Sequence, residues 1–314
     1  MKKLSFLIPC YGSELTIEEV VNEIKKIVIK KKYDYEIILI NDQSPDNVWK
    51  VIQTMALENK NIKAINLAKN MNKPGAIMAG LSVVSGDYVI FLDDDGQCPM
   101  NRLWDLLKPL ENGFDVSIAK YSIKKQSKFK NFGSKVNKKM SEIIINKPKN
   151  LYFTNFMVVK KFVALEMIKY DNPYPYIEGL VLRITNNIKN VVMEERERIS
   201  GNPTFTFKKM LSMWFNGFTC FSVKPLRIAT YLGFCCALFG FIFGIYIIIN
   251  RLINPTIIQG YSSLMAIILF IGGTIMIMLG LVGEYIGRIY ISINNSPQYV
   301  VKETINIGSK NEKN

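Results

Sequence analysis

The first third of the chain alternates short apolar runs with longer polar segments of helical periodicity. Leu4–Pro9, Tyr35–Asn41, Ile62–Leu67 and Tyr88–Leu92 are rich in β-branched and aromatic residues and end at turn signals. Runs of this kind are strands buried on both faces of a parallel sheet. The first intervening segment begins at Thr16, a candidate N-cap, with Glu18 and Glu19 toward its amino end and Lys25, Lys26 and Lys30 toward its carboxyl end. That charge order suits a helix dipole. Helices are expected over about 47–59, Gly75–Val84 and Pro99 to about Asn112. The resulting β-α-β-α order predicts an α/β fold with a mostly parallel sheet and right-handed crossovers. Further on, Asp115–Ala119 and Phe153–Lys160 read as strands, Phe162–Ile168 and Ile177–Ile188 as helices, and Val191–Arg198 as a last extended segment.

The pattern changes in the last third. Ile228–Ile249 and Ser262–Gly283 are runs of 22 residues without a charge, long enough for two membrane-spanning helices. They imply a hairpin over 226–290, entered through Lys224-Pro225-Leu226-Arg227. Before it, 205–225 mixes aromatics with Lys208 and Lys209, as expected of an amphipathic helix in the membrane interface. The expected organisation is an α/β domain over 1–204, the interfacial helix, the hairpin and a tail over 291–314. Lys and Arg concentrate outside the hairpin, which puts domain and tail on the cytoplasmic side of an inner or plasma membrane. Met1–Pro9 is too short and too interrupted for a signal peptide and reads as the first strand.

Composition narrows the chemistry. Net charge is +14, and residues 120–149 hold ten lysines and one glutamate. The apolar residues there, Phe129, Phe132, Val136, Met140, Ile143 and Ile144, recur at spacings of three and four, which predicts a basic amphipathic helix facing a membrane or an anionic acceptor. With a membrane anchor in the same chain, nucleic acid is not the expected partner. Five cysteines show no metal spacing, in keeping with a reducing compartment. The chain has no histidine, so His-based triads, His-ligated zinc and a His general base are excluded. No GxxxxGK[ST] and no GxGxxG after the first strand occurs, which argues against a Walker loop and a dinucleotide fold.

Two strands run into acid: Asn41-Asp42-Gln43-Ser44-Pro45-Asp46, and Asp93-Asp94-Asp95-Gly96-Gln97-Cys98-Pro99. Carboxylates at the carboxyl edge of a parallel sheet stand where such sheets bind ligands. Three together repel unless a hard divalent cation joins them; the alternative is an acidic turn capping the next helix.

Residues 4–120 resemble the family 2 glycosyltransferases of GT-A fold. Pro9-Cys10-Tyr11-Gly12-Ser13-Glu14 is similar to their P-x-Y-N-E-E, and Asn41–Asp46 to D-D-x-S-x-D. Asn70–Ala76 with Gly80-Leu81 is similar to N-x-G-K-x-x-A…GL, and Asp93–Pro99 to D-A-D-L-Q-D-P. Arg198-Ile199-Ser200-Gly201, Phe221-Ser222 with Pro225-Leu226-Arg227 and two terminal spans narrow the resemblance to the polyprenyl-phosphate glycosyltransferases, the dolichyl-phosphate mannose synthase and bactoprenol glucosyltransferase group.

The resemblance implies roles. Pro9, Tyr11, Glu14 and Asp42 would line the base and ribose pocket, and Asp93 would contact the nucleotide or sugar. Asp95 and Gln97 would hold Mg²⁺ or Mn²⁺. Lys120, Lys124 and Arg198 would bind the acceptor phosphate. The expected reaction is single displacement with inversion from a nucleotide sugar, UDP-linked in preference to GDP-linked, to undecaprenyl phosphate. The product would be a lipid-linked sugar for cell-envelope glycan modification, handed to a flippase and a downstream transferase. Two spans leave room for homo-oligomer packing. Asp94 stands where the family has a small residue, so its carboxylate is expected to point away from the metal. Cys98 replaces an acid, Asn72 and Pro74 break N-x-G-K, and Gly201–Phe205 keeps only the glycine and an aromatic of G-x-S-K-Y. Two other readings are a processive polysaccharide synthase, against which the missing Q-x-x-R-W counts, and a catalytically silent nucleotide-sugar-binding scaffold.

Overall fold

The computed structural model describes residues 2–31, 33–121, 147–196, 224–253, 260–294 and 296–308. The chain divides into two compact units: Met1–Phe207 with Ser296–Asn314, and Lys208–Asn295.

The first unit is built on one sheet with strand order β7 (Ile188–Met193), β5 (Val116–Tyr121), β6 (Met157–Lys160), β4 (Tyr88–Phe91), β1 (Lys3–Cys10), β2 (Asp34–Asn41), β3 (Ile62–Leu67) and β8 (Val301–Ile305). Its centre is β1 (Lys3–Cys10), which pairs in parallel with β2 (Asp34–Asn41) and β4 (Tyr88–Phe91). Every residue from Leu4 to Cys10 is buried, as is all of β4. The continuous apolar runs are thus central strands covered on both faces, as expected. Strand β3 (Ile62–Leu67) extends the parallel set beyond β2. On the other side β6 (Met157–Lys160) runs antiparallel to β4 and to β5 (Val116–Tyr121), and β7 (Ile188–Met193) lies parallel to β5.

The crossovers are α1 (Ile17–Lys31), α2 (Val48–Glu58), α3 (Asn72–Leu81) and, after a 3₁₀ turn at Met100–Arg102, α4 (Leu103–Glu111). Helices α5 (Lys161–Ile168) and α6 (Ile177–Ile184) follow β6. Helix α3 lies close on the sheet: a Cβ at Gly80 would stand 2.8 Å from Ile40 Cδ1 and 2.9 Å from Leu7 Cγ. Glycine there lets the helix that carries the next loop seat against β1 and β2.

Several expected boundaries move for local reasons. The strand read from Phe153 starts at Met157, because Thr154 Oγ1 turns to donate to the Ala119 carbonyl at 2.8 Å. The helix from Ile177 ends at Ile184, where Thr185 Oγ1 donates to Asp115 at 2.9 Å. Thr16 does stand at the N-cap position of α1, its carbonyl accepting the Val20 N–H at 3.1 Å, while its hydroxyl donates to the Asp94 carbonyl at 2.6 Å.

The amino edge of the sheet holds one buried carboxylate. Glu36 is 2 % exposed. It accepts from Ser5 Oγ at 2.5 Å, from the Ser85 N–H and hydroxyl at 2.6 and 2.7 Å, and pairs with Lys63 at 2.9 Å and Lys3 at 3.4 Å. Burial works to raise its pKa, but these donors outweigh it and hold the group at about 2.

The second unit contains α7 (Lys224–Ile253) and α8 (Tyr261–Ile293). Their apolar windows, Ala229–Tyr246 and Phe270–Ile293, are long enough to cross a bilayer, and none of either is buried within the protein. The core helix of a soluble domain would hide such a surface. The second window lies further along than the expected 262–283 and takes in Glu284 and Arg288.

The stretch read as a tail is partly sheet. Val301–Ile305 forms β8, antiparallel to the edge strand β3. The Ala68 N–H donates to the Val300 carbonyl at 2.8 Å, and Asn306 Nδ2 reaches the carbonyls of Ala56 and Ile62 at 2.5 and 2.9 Å. Most of the Lys-rich segment, and the interfacial helix up to residue 223, lie outside the described residues.

Candidate active site

Three loops meet at the carboxyl edge: residues 11–16 after β1, 42–47 after β2 and 92–99 after β4. Hydrogen bonds tie the first two together. The Gly12 N–H donates to Ser44 Oγ at 2.7 Å, the Glu14 N–H to Asp46 at 2.9 Å, and the Asn47 N–H to Glu14 at 3.0 Å. Glu14 therefore caps the start of α2. Pro9 is buried near the end of β1, while Tyr11 in the first loop is 46 % exposed.

Asp42 is buried, and its Oδ1 accepts the Met71 N–H at 2.6 Å. Burial pushes its carboxyl up to about 6 against the pull of that bond and of the Asn72 backbone. It anchors the amino end of α3, where a carboxylate suits the helix dipole. Asn72, which breaks the N-x-G-K pattern, has φ +59°. Asparagine tolerates that left-handed conformation better than most residues, so this departure keeps the turn that glycine would make.

The third loop turns at Gly96, φ +73°. This lets the Gln97 N–H fold back onto Asp95 Oδ1 at 3.1 Å, an Asx turn. The three aspartates diverge. Asp93 Oδ1 is held by Lys73 Nζ, and its Oδ2 accepts from Asn155 Nδ2 at 2.8 Å. Asp94 turns away toward the first loop and accepts the Tyr11 N–H at 2.9 Å; burial raises its pKa to about 6. Asp95 is half-buried at the edge. Gln97 Nε2 points to the Arg196 carbonyl at 3.4 Å, and the Arg196 N–H returns to the Gln97 carbonyl at 3.1 Å. The Arg196 guanidinium then grips Glu23 at 2.7 Å and Asn101 at 2.8 Å, pinning the acidic loop to α1.

Cys98, in place of an acid, is buried, and burial with the Asp93 charge pushes its thiol up to about 12. It contributes neither a ligand charge nor a nucleophile. Lys120 closes the end of β5 with its Nζ 4.3 Å from the Tyr152 ring centroid. Lys124 and Arg198 lie outside the described residues.

The structure thus brings Pro9, Tyr11, Glu14, Asp42, Asp93, Asp95 and Gln97 to one edge. Lys73, Asn155 and Arg196 also belong there without having been given a role. Lys73 sits inside a motif, so a signal existed; Asn155 and Arg196 had none.

Among the described residues no three His, Cys, Asp or Glu side chains form a metal cage. Mg²⁺ and Mn²⁺ sites on phosphate substrates need none, since one or two carboxylates and the phosphates themselves supply the oxygens. Asp95, a half-buried carboxylate at the sheet edge with Gln97 two residues on, has the donor chemistry for that arrangement.

Comparison with known proteins decides the family. The pattern described as glycosyl transferase family 2 matches residues 5–164. The chain belongs to that family. Residues 224–289 match the GtrB C-terminal hairpin. The transferase is 30% identical over 307 residues to the SfII prophage-derived bactoprenol glucosyl transferase of Shigella flexneri, covering 96% of this chain and 98% of that protein. It is 30% identical over 301 residues to a prophage bactoprenol glucosyl transferase homolog of Escherichia coli, with the same coverage. These full-length relatives bear out the polyprenyl-phosphate glycosyltransferase group. Among solved structures, glucosyl-3-phosphoglycerate synthase from Mycobacterium tuberculosis, in complex with Mn²⁺, UDP-glucose and phosphoglyceric acid, superposes with a TM-score of 0.52 at 17% identity. That match covers 69% of this chain and 78% of that one, and it establishes the transferase's GT-A-like fold.

Proposed function

We propose that this glycosyltransferase moves a sugar, glucose first among the candidates, from a UDP-sugar to polyprenyl phosphate at the surface of a membrane that its hairpin crosses twice. The observation that carries this reading is similarity to bactoprenol glucosyl transferases along the whole chain, hairpin included. The site geometry supports it. Tyr11 offers an exposed ring to a base, and Asp42 and Glu14 border the ribose. Asp93 meets the sugar or diphosphate in the place Lys73 and Asn155 now fill. Asp95, with Gln97 beside it, would hold Mg²⁺ or Mn²⁺, and the ion would supply charge stabilisation for the departing diphosphate.

The chemistry needs no general base. A phosphate monoester is already largely ionised near pH 7, with a second pKa of about 6. Its oxygen attacks the anomeric carbon, the bond from that carbon to the diphosphate breaks, and UDP leaves with inversion. Lys120, with Lys124 and Arg198, holds the acceptor phosphate. The Lys and Arg excess outside the hairpin supports a cytoplasmic catalytic unit. Return of the chain to β8 after the hairpin supports an even number of crossings.

The test is incubation of membranes carrying the protein with labelled UDP-glucose, UDP-N-acetylglucosamine, UDP-galactose and GDP-mannose, with mass analysis of the lipid fraction. The expected result is one labelled polyprenyl monophosphate sugar, lost on chelation and restored by Mg²⁺ or Mn²⁺. Nucleotide binding without any labelled lipid would overturn the enzyme in favour of a silent scaffold, and a polymeric product would point to a processive synthase.

A further inference from the structure

The strand that follows the hairpin is wired to the loop that carries Tyr11. Glu303 on β8 accepts from Asn66 Nδ2 at 2.7 Å. Asn66 Oδ1 accepts from Asn41 Nδ2 at 2.7 Å. Asn41 Oδ1 accepts the Ser44 N–H at 3.1 Å, and Ser44 Oγ accepts the Gly12 N–H at 2.7 Å while donating to Asp46 at 2.6 Å. Asn41 and Asn66 are 4 % and 7 % exposed, so unmatched amide groups there would be costly.

The chain of bonds has a direction, and the acceptor Glu303 at one end and the donor Ser44 N–H at the other both require it. An ionised carboxylate only accepts. Asn66 must therefore offer Glu303 its NH₂, which leaves its oxygen for Asn41. Asn41 must then spend its NH₂ on Asn66, which turns its own oxygen to the Ser44 N–H. A donor in place of Glu303 would reverse both amides and set the Asn41 NH₂ against the Ser44 N–H. We infer that Glu303 is a positioning residue for the nucleotide pocket: by fixing the amide orientation of Asn66 and Asn41 it holds Ser44 and the Gly12–Glu14 backbone, and with them Tyr11, in the conformation that receives the donor. This rests on the reading of the Tyr11 loop as the donor site.

The full-length protein in detergent or nanodiscs is compared with Glu303→Gln, Glu303→Ala, Glu303→Lys and, on the same strand, Lys302→Ala. Two readouts are taken: UDP affinity by calorimetry and hydrogen exchange of the peptides covering residues 11–16 and 44–47. Glutamine can still accept, so Glu303→Gln should stay within about twofold of wild type. Glu303→Ala should weaken UDP binding about fivefold, and Glu303→Lys beyond tenfold, with exchange of both loops rising in the same order. In the transfer assay the change should fall on donor KM, with kcat within about twofold. Lys302→Ala should match wild type. Equal behaviour of the three Glu303 variants, or an equal effect of Lys302→Ala, would overturn the inference and leave only edge-strand stability. Wild type that binds no UDP would overturn the donor reading instead, while the exchange order still decides the relay.

Discussion

The sheet carries buried acid at both edges, and the two edges treat it oppositely. At the amino edge Glu36 is surrounded by two serines and two lysines and held at about 2. At the carboxyl edge Asp42 and Asp94 are raised to about 6, with backbone N–H groups bonded to each and burial the dominant influence. One carboxylate has its charge fully answered by the protein. The others are left under-compensated, with burial outweighing the hydrogen bonds that each accepts.

The largest effect that would sharpen this contrast is at Asp95. Asp95→Ala should cut sugar transfer roughly a hundredfold or more, because metal stabilisation of the leaving group is worth several kcal/mol. Its melting temperature should stay near that of wild type. Transfer at close to the wild-type rate would break the metal assignment.

Glu36→Gln should do the reverse. Removing a buried charge leaves Lys63 unpaired and should cost about 2–4 kcal/mol of stability, with transfer per folded molecule unchanged. The pH dependence follows from the sign of the shift. The folded carboxyl lies below its ordinary 4.5, so its contribution is complete above that value and is lost as pH falls toward about 2. Acid titration of the melting temperature should show wild type and Glu36→Gln converging across that window; parallel curves would break the comparison.

The smallest effect is at Asp42. Its folded carboxyl is raised from 3.8 to about 6, so the folded state loses stability as pH rises through that interval. Asp42→Asn keeps the acceptor for the Met71 N–H and should be more stable than wild type at pH 8 by about 2 kcal/mol, the advantage disappearing below about pH 4. The same variant should bind UDP more weakly. If it proved no more stable at pH 8, the carboxyl edge would not be under-compensated.

Much of this was legible in the sequence because it is local. Apolar runs such as Leu4–Pro9 and Tyr88–Leu92 announce central strands, and acids placed directly after them announce a sheet-edge site. Asp94 was set apart from its neighbours, and it does turn toward the Tyr11 loop. What escaped is long-range or exposed. Asn66 and Glu303 are 237 residues apart and Arg196 and Glu23 are 173 apart, so no local pattern joins them. Val301–Ile305 is a mostly exposed edge strand carrying Lys302 and Glu303, and such strands lack the apolar signature of central ones. It read as a tail for that reason.

Because β8 belongs to the same sheet as β1, the sheet is completed only after both apolar helices have been made. Some hundred residues, including both apolar helices, are made between β7 and the strand that covers the β3 edge. Nascent chains expose unpaired edges until their partners arrive. Synthesis of both apolar helices therefore precedes completion of the sheet in every molecule. A chain that stalls between the two apolar helices never gains β8, and the β3 edge is left unpaired: the order of synthesis itself acts as an inspection step, withholding a finished sheet from chains that lack their second apolar helix.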